Sequence, residues 1–261
     1  MILKEIISAL EEAFPLNRQE NFDNSGLQIG DPEVEVSGAL LAIDIDEKVL
    51  SEAKGKGLNL VITHHPLLFH PAKRITPSSY IERCITYAIR HEIAIYAAHT
   101  NADNSLPGLN TMMADIIGME KCIPLQPRQE DKSQGGGLIG NLKEKVSIGS
   151  FLRNLKQILP AQRICYSKCN PEQLIQTVAM CTGSGAFMYS IAKELDADIF
   201  ITGEAKYNDF YDAQDGPTLI TAGHFETEWF SVKLFKSIIS SKLPNFACQI
   251  SEQMSNPVNY L

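Results

Sequence analysis

The sequence lacks any long hydrophobic run. No uninterrupted apolar stretch approaches the roughly 20 residues that a helix needs to cross a bilayer. Its six cysteines contain no CxxC pair, and no signal-peptide pattern of a basic start and an apolar core opens the chain. These absences argue against a membrane-spanning protein, a paired-cysteine zinc motif and a disulfide framework. We therefore expect a cytoplasmic protein in a reducing compartment.

Positive charge is also scarce. Lysine and arginine total 23 residues against 31 aspartate and glutamate residues, which gives a formal net charge of -8. An acidic balance of this kind provides little long-range attraction to phosphate backbones or anionic membranes. We expect no membrane partner, and nucleic acid is disfavoured as a partner.

Helix and strand patterns alternate along most of the chain. The first series consists of an amphipathic helix at 2–14, strands at 38–44, 58–63 and 93–98, and helices at 46–55 and 79–91. The second series consists of helices at 150–159, 187–195 and 225–240 and strands at 176–181, 198–202 and 218–221. This alternation predicts an α/β fold with mainly parallel sheets.

The stretch 126–137 is polar and carries three consecutive glycines, which is typical of a boundary between lobes. We therefore predict an N-terminal α/β lobe at 1–125 and a C-terminal α/β lobe at 126–261. The two halves share the same order of strands and helices. Two similar lobes that face each other across a metal-binding cleft are the simplest architecture.

Three of the predicted strands are followed by side chains that bind metals. His64 and His65 follow the strand 58–63, and His224 follows the strand 218–221. His99 and Asp103 follow the strand 93–98. The carboxyl ends of strands in an open α/β sheet line the crevice where ligands bind, so residues far apart in sequence are expected to meet there.

The spacing of these residues favours a pair of metal ions. Neighbouring side chains in a strand point to opposite faces, so adjacent His64 and His65 suit two ions better than one. His224 and Glu228 are four positions apart, which places both on one helix face, where the carboxylate can bridge. Asp103 completes a set of five ligands. Mixed imidazole and carboxylate ligands suit zinc, iron, manganese or nickel better than calcium, and the sequence leaves the ion open.

Two divalent ions about 3.5–4 Å apart lower the pKa of water and polarise a phosphoryl or carbonyl oxygen, so hydrolysis is the expected reaction class. His99 and Glu204 end neighbouring strands, and we assign them as proton carriers or as groups that orient the ligands. Gly183, Ser184 and Gly185 form a glycine loop between a strand and a helix. Its amides could bind an anion, but a plain tight turn explains the loop equally well.

Each signal has a simpler explanation when it is taken alone. A His-His pair often lies in a loop by chance, a His–Glu pair at i, i+4 is a common surface contact, and Asp103 can simply form a turn. Their joint occurrence after three apolar strands favours the metal site. His70 and His91 lack that context, and we expect them to be structural.

Five segments match, in order and spacing, the signature segments of a known family. They are Asp23-Asn24-x-Gly26-Leu27-Gln28-x-Gly30, Thr63-His64-His65-Pro66, His99-Thr100-Asn101-x-Asp103, Thr202-Gly203-Glu204-x-Lys206-Tyr207 and Gly223-His224-Phe225-x-Thr227-Glu228. Through them nearly the whole chain resembles the dinuclear metal-centre family, whose members are also labelled GTP cyclohydrolase 1 type 2 homologues or Nif-three-like proteins.

The resemblance implies two similar α/β lobes without an inserted third domain, and a two-metal site with the same five ligands. It also implies a toroidal homohexamer whose sites face an internal cavity. Two positions depart from the family pattern. Asn208 stands where many relatives have a histidine, which removes a group for proton transfer, and Asn104–Gly108 replaces the usual small-residue and double-glycine run.

Two classes of function remain open. The first is a metal-dependent hydrolase of a nucleotide-like or phosphorylated small molecule, with opening of the purine ring of GTP as one case. The second is a non-catalytic metal-binding assembly, such as a regulatory adaptor or a metallochaperone, because no general base stands out beyond the ligands. DNA binding is a third reading, which the acidic balance disfavours although a ring with a basic lumen would permit it.

Overall fold

The computed structural model describes residues 1–159 and 161–261. These residues form two compact units. The first unit comprises Met1–Ala102 and Phe230–Pro257, and the second comprises Asp103–Trp229 and Val258–Leu261. Each unit is built on its own sheet with helices packed on it, which confirms the predicted α/β class.

The helices have the following bounds: α1 (Leu3–Ala13), α2 (Glu47–Gly55), α3 (Tyr80–Arg90), α4 (Thr100–Asp103), α5 (Leu109–Ile117), α6 (Ile148–Ile158), α7 (Tyr189–Glu194), α8 (Tyr207–Asp212), α9 (His224–Glu228) and α10 (Ser231–Lys242). The strands have the following bounds: β1 (Gly26–Ile29), β2 (Ala39–Ala42), β3 (Leu60–Thr63), β4 (Ala94–Ala97), β5 (Met119–Pro127), β6 (Gly135–Ser147), β7 (Cys165–Tyr166), β8 (Leu174–Cys181), β9 (Ile199–Thr202), β10 (Thr218–Thr221) and β11 (Cys248–Ile250).

The sheet of the first unit has the strand order β1-β4-β3-β2-β11. Strands β2, β3, β4 and β11 run parallel, and β1 pairs antiparallel with β4. Side chains alternate along β2: Leu41 packs into the hydrophobic cluster shared with α1 and α10, whereas Leu40 packs into the cluster shared with α2 and α3. Helices therefore cover both faces of a sheet whose central strands are fully buried.

The sheet of the second unit has the strand order β5-β6-β8-β9-β10-β7. Its centre, β8-β9-β10, is parallel, and the pairings outside that centre are antiparallel. Phe200 and Leu219 from the central strands pack with Ala192 of α7 in the core of this unit. The carboxyl ends of β8, β9 and β10 lead into the segments that hold Gly183, Glu204 and His224.

The predicted boundary at residue 126 falls inside a packed antiparallel pair. Pro127 of β5 pairs with Gly135 of β6. A Cβ added to Gly135 would lie 2.1 Å from the carbonyl oxygen of Gln126, and one added to Gly137 would lie 2.7 Å from that of Met180. These glycines therefore allow a close approach of backbones within a sheet, which composition alone does not distinguish from a linker.

The chain passes between the units at Ala102/Asp103, at Trp229/Phe230 and at Pro257/Val258. The predicted helix 225–240 is accordingly divided into α9 and α10. Helix α10 packs against α1, where the rings of Phe235 and Phe14 meet edge to face at 6.0 Å. In the described part of the chain, no helix combines the length and the hydropathy that crossing a membrane requires.

Candidate metal-binding groups

Three histidines of the first unit form a compact group. His64 and His65 follow β3, and His99 follows β4. One ligand nitrogen from each ring lies within 4.8 Å of those from the other two. The ring centroids are 5.0 Å apart for His64 and His65 and 5.2 Å apart for His64 and His99. The structure thus brings His99, predicted as a proton carrier or as a group that orients the ligands, together with two predicted ligands.

The chain bends directly after β3, which explains how adjacent histidines share one group. Strand β3 ends at Thr63, and the Thr63 hydroxyl donates to the backbone carbonyl of His65 at 2.7 Å. The alternation expected for strand residues therefore does not apply to His64 and His65. Their proximity removes the geometric reason for assigning them to separate ions.

Each ring of this group is held by a protein oxygen at Nδ1. His64 Nδ1 lies 2.8 Å from the carbonyl oxygen of Ala98, and His65 Nδ1 lies 2.7 Å from Asp44 Oδ1. His99 Nδ1 lies 2.7 Å from Asp23 Oδ1. A carbonyl or carboxylate oxygen only accepts, so each Nδ1 is the donor. In the neutral ring this leaves the lone pair on Nε2, the tautomer that a metal ligand requires.

Asp23 is the most strongly perturbed carboxylate of this group. Burial alone would raise its pKa, but the hydrogen bond and charge interaction with His99 and the hydrogen bond from Thr100 outweigh burial. The pKa of Asp23 is therefore held well below its usual range. Asp23 stays ionised at neutral pH and fixes the orientation of His99.

A histidine and two glutamates lie close together in the second unit and form the second group. His224 and Glu228 lie one turn apart on α9, with His224 Nε2 at 2.9 Å from Glu228 Oε2. Their common face was predicted from the spacing. On the other side of the ring, His224 Nδ1 lies 3.2 Å from Glu204 Oε1. Glu228 is almost fully buried, whereas Glu204 is more than half exposed.

The contacts of Glu204 fit an orienting role. The Ser184 hydroxyl donates to Glu204 Oε1, and this bond is the main cause that lowers the pKa of Glu204 against the opposing effect of burial. His224 lowers it further. A carboxylate with a lowered pKa is a weak base at neutral pH. Of the two predicted roles, orientation of His224 agrees better with these contacts than proton transfer.

In the glycine loop after β8, the absence of a side chain at Gly183 leaves space for the Glu228 carboxylate. Gly183 has φ +61°, and a Cβ added there would lie 2.0 Å from Glu228 Oε1. Its amide donates to Thr227 Oγ1 at 3.1 Å, and the amide of Gly185 donates to Thr202 Oγ1 at 2.9 Å. Two amides of the predicted anion loop are therefore already bonded within the unit. The tight-turn explanation accounts for these contacts.

Asp103 ends α4 and is the first residue of the second unit. Its backbone carbonyl accepts a hydrogen bond from Asn110 Nδ2 at 3.0 Å. The peptide bond between Leu106 and Pro107, in the loop that departs from the family pattern, is cis.

Two residues of the histidine group were missed by sequence reasoning. Asp44 anchors His65, and Asp23 anchors His99. Asp44 follows β2, so the rule that identified polar residues at strand ends would have found it. Asp23 was noticed only as part of a motif that resembles the family, because nothing local links it to a residue 76 positions away.

The residues present fit a divalent ion. Three imidazoles with anchored Nδ1 atoms form the first group, and an imidazole beside two carboxylates forms the second. Neutral imidazole and ionised carboxylate are the donors that zinc, iron, manganese and nickel accept. Oxygen partners at the second nitrogen are the usual support of a metal-bound histidine.

Comparisons with known proteins identify the family. A family model described as Duf34/NIF3 (NGG1p interacting factor 3) matches residues 1–257. A GTP cyclohydrolase 1 type 2 homolog of Clostridium perfringens is 35% identical over 230 residues, which cover 88% of this chain and 87% of that protein. A protein of the same name from Campylobacter jejuni is 33% identical over 263 residues and is matched over the full length of both chains.

Solved structures show the same fold. The crystal structure of Staphylococcus aureus protein SA1388 superposes with a TM-score of 0.91 at 24% identity, covering 100% of this chain and 99% of that one. Likeness at this identity concerns the fold alone, whereas the family match spans nearly every residue. The chain belongs to the Duf34/NIF3 (NGG1p interacting factor 3) family.

Proposed function

We propose that this protein binds two divalent metal ions and hydrolyses a nucleotide-like or phosphorylated small molecule. The proposed ligands are His64, His65, Asp103, His224 and Glu228. The observation that carries the proposal is the anchoring of His64 and His65 through Nδ1 by Ala98 and Asp44, beside His99 held by Asp23, which prepares the Nε2 atoms of the two proposed ligands for a metal. The names of the relatives, GTP cyclohydrolase 1 type 2 homologs, support a nucleotide as the first substrate to test.

The roles of the protein groups follow from their contacts. Bound divalent ions would polarise a phosphoryl or carbonyl oxygen and make water a better nucleophile at neutral pH. Asp44 and Asp23 keep the rings of His65 and His99 in place, and Glu204 does the same for His224. We further propose a homohexamer, as the family resemblance implies, and a cytoplasmic location.

Metal analysis and turnover test this function together. The purified protein is stripped with a chelator, loaded separately with manganese, iron, zinc or nickel, and freed of unbound ion. We expect two ions per chain by elemental analysis, and hydrolysis of GTP or another member of a nucleotide panel. The absence of turnover with every loaded ion would refute the hydrolase.

A matched pair of variants tests the ligands. His65→Ala removes a proposed ligand, and His70→Ala removes an exposed histidine that lies outside both metal-binding groups. We expect His65→Ala to lose at least one ion per chain together with activity, and His70→Ala to keep both. Retention of two ions by His65→Ala would show that the ligand assignment is wrong.

A non-catalytic role as a metal-dependent adaptor or metallochaperone is the second candidate. It is favoured by the positions of the two predicted proton carriers, since His99 belongs to a ligand group and Glu204 is a weak base that holds His224. An adaptor should capture one stoichiometric partner from cell extract when metal is bound, and His64→Ala should abolish capture. Capture that persists after metal removal would exclude this role.

A further inference from the structure

A cavity of about 410 Å³ lies in the first unit beside His65. Its apolar wall includes Ile43, Ile45, Val49 and Leu67. Pockets of about 300–1,000 Å³ are typical of small-molecule sites, so the volume admits a single small ring system with its substituents. The cavity and the histidine group share His65, so a molecule bound in the cavity would contact that group.

The polar wall of the cavity is acidic. Asp44 and Asp46 contribute carboxylates, and the described residues that line the cavity include neither lysine nor arginine. Two nearby cations pair with other carboxylates: Arg83 Nε of α3 lies 2.9 Å from Glu47, and Lys56 Nζ, just after α2, lies 2.7 Å from Glu52. Phosphate would therefore be repelled here, whereas a group that donates hydrogen bonds would be attracted.

Tyr80 also lines the cavity, and its pKa reflects the negative charge there. Burial raises the pKa of Tyr80, and the negative charge of Asp44 raises it further. Asp46 accepts a hydrogen bond from the amide of Val49 at 2.8 Å as the N-cap of α2. A carboxylate has about four acceptor sites, so this cap leaves Asp46 able to accept from a ligand as well.

We propose that this cavity binds an amine-bearing aromatic nitrogen heterocycle, the ring portion of the substrate. The flat ring would pack against the apolar wall, while ring N–H and exocyclic amine groups donate to Asp44 and Asp46. Asp44 contacts both His65 and the cavity, so it would connect ring recognition to the histidine group. This inference rests on the proposed function and identifies the substrate class, with any phosphate placed outside the cavity.

Equilibrium binding tests the inference without any turnover. The probe is 2-aminopurine, whose fluorescence reports binding directly, and the competitor is purine, which lacks the exocyclic amine. The full-length protein is titrated both stripped of metal and loaded with zinc. Hydrogen bonds to a charged acceptor should make 2-aminopurine bind at least about tenfold more tightly than purine. Inorganic phosphate should not displace the probe.

Two substitutions in the cavity wall, with one control on α10, test whether the probe binds in the cavity. Ser255→Trp places a large ring in the cavity from an exposed position on its wall, and Ser241→Trp makes the same change at an exposed position on α10. Asp46→Asn keeps an oxygen to cap α2 but removes the charge. We expect Ser255→Trp and Asp46→Asn each to weaken 2-aminopurine binding about tenfold or more, and Ser241→Trp to leave it unchanged.

The inference would be overturned by no binding of 2-aminopurine, by equal affinity for purine, or by wild-type affinity in both Ser255→Trp and Asp46→Asn. Displacement of the probe by phosphate would also overturn it. The proposed function is judged separately, by ion content and turnover. If the protein binds two ions and hydrolyses a substrate but does not bind 2-aminopurine, only the inference is refuted. If it binds 2-aminopurine but shows no hydrolysis, only the proposed function is refuted.

Discussion

Gly183→Ala is the sharpest test of the site in the second unit. Gly183 has φ +61°, and a Cβ there would lie 2.0 Å from Glu228 Oε1. An ordinary carbon–oxygen contact is about 3.3 Å or longer, so the Glu228 carboxylate would have to move by about 1.3 Å. Metal–ligand distances tolerate only about 0.2 Å of error. The variant should therefore lose the ligand geometry at His224 and Glu228.

Gly118→Ala is the matched control. Gly118 has φ +78° in the same unit, but a Cβ there would meet no atom of the described residues within 4 Å. Both variants place alanine in the left-handed region, which costs about 1–2 kcal/mol of unfolding free energy. Only Gly183→Ala also displaces the buried Glu228 carboxylate, so it should be the less stable of the two. The difference between the two variants isolates the overlap with Glu228.

Two measurements check the prediction. Urea unfolding of metal-free protein is followed through the single tryptophan, Trp229, which directly follows Glu228 in the second unit. Metal affinity is measured by competition with a chelator. We expect Gly183→Ala to bind metal at least about tenfold more weakly than Gly118→Ala, since even supporting residues change affinity by about 10–100-fold. Equal stability and equal affinity in the two variants would refute the reasoning.

Three further predictions follow from the first unit. The depressed pKa of Asp23 means that its carboxylate stabilises the fold above the ordinary aspartate pKa of about 3.9 and that this stabilisation is lost as the pH falls further. Metal-free Asp23→Asn should therefore be less stable than wild type at pH 7, and the difference should shrink below about pH 4. Urea midpoints across this range check it, and a margin that does not change with pH would contradict it. Asp44→Asn replaces the charged partner of His65, so metal affinity should fall by about 10–100-fold in calorimetric titrations, and an unchanged affinity would count against the anchor. Burial raises the pKa of Cys84 to about 12, so iodoacetamide at pH 8 should modify half-buried Cys165 but not Cys84 until urea is added, as followed by mass spectrometry. Equal labelling rates for the two thiols in the native protein would show that Cys84 is not protected.

Much of the fold could be predicted because its signals are short-range. The run Leu60–Thr63 is apolar and β-branched and forms β3, and the helical spacing of 79–91 forms α3 at Tyr80–Arg90. Two regions did not follow such signals. Strand β1 has only four residues and starts with a glycine, so it carries no strand pattern long enough to predict, and the glycines of β6 are needed for backbone contacts in a sheet although their composition indicated a linker.

The residues of the candidate site also divide into those that a short-range pattern identifies and those that it does not. Local pattern identified His64, His65 and the His224–Glu228 pair, since a strand end or a helical turn places each of them. The closeness of His99 to His64 and His65 was not predicted, because it depends on how β3 and β4 lie side by side.

By itself the sequence determined the alternation of strands and helices, the presence of side chains able to bind a metal at three strand ends, and the family. Periodicity and chemical type are carried by residues close together in the chain. The tertiary structure decided which oxygen anchors each ring, where the chain passes from one unit to the other, and why Gly183 faces Glu228. These features depend on contacts between residues 21 to 76 positions apart, which no local pattern encodes.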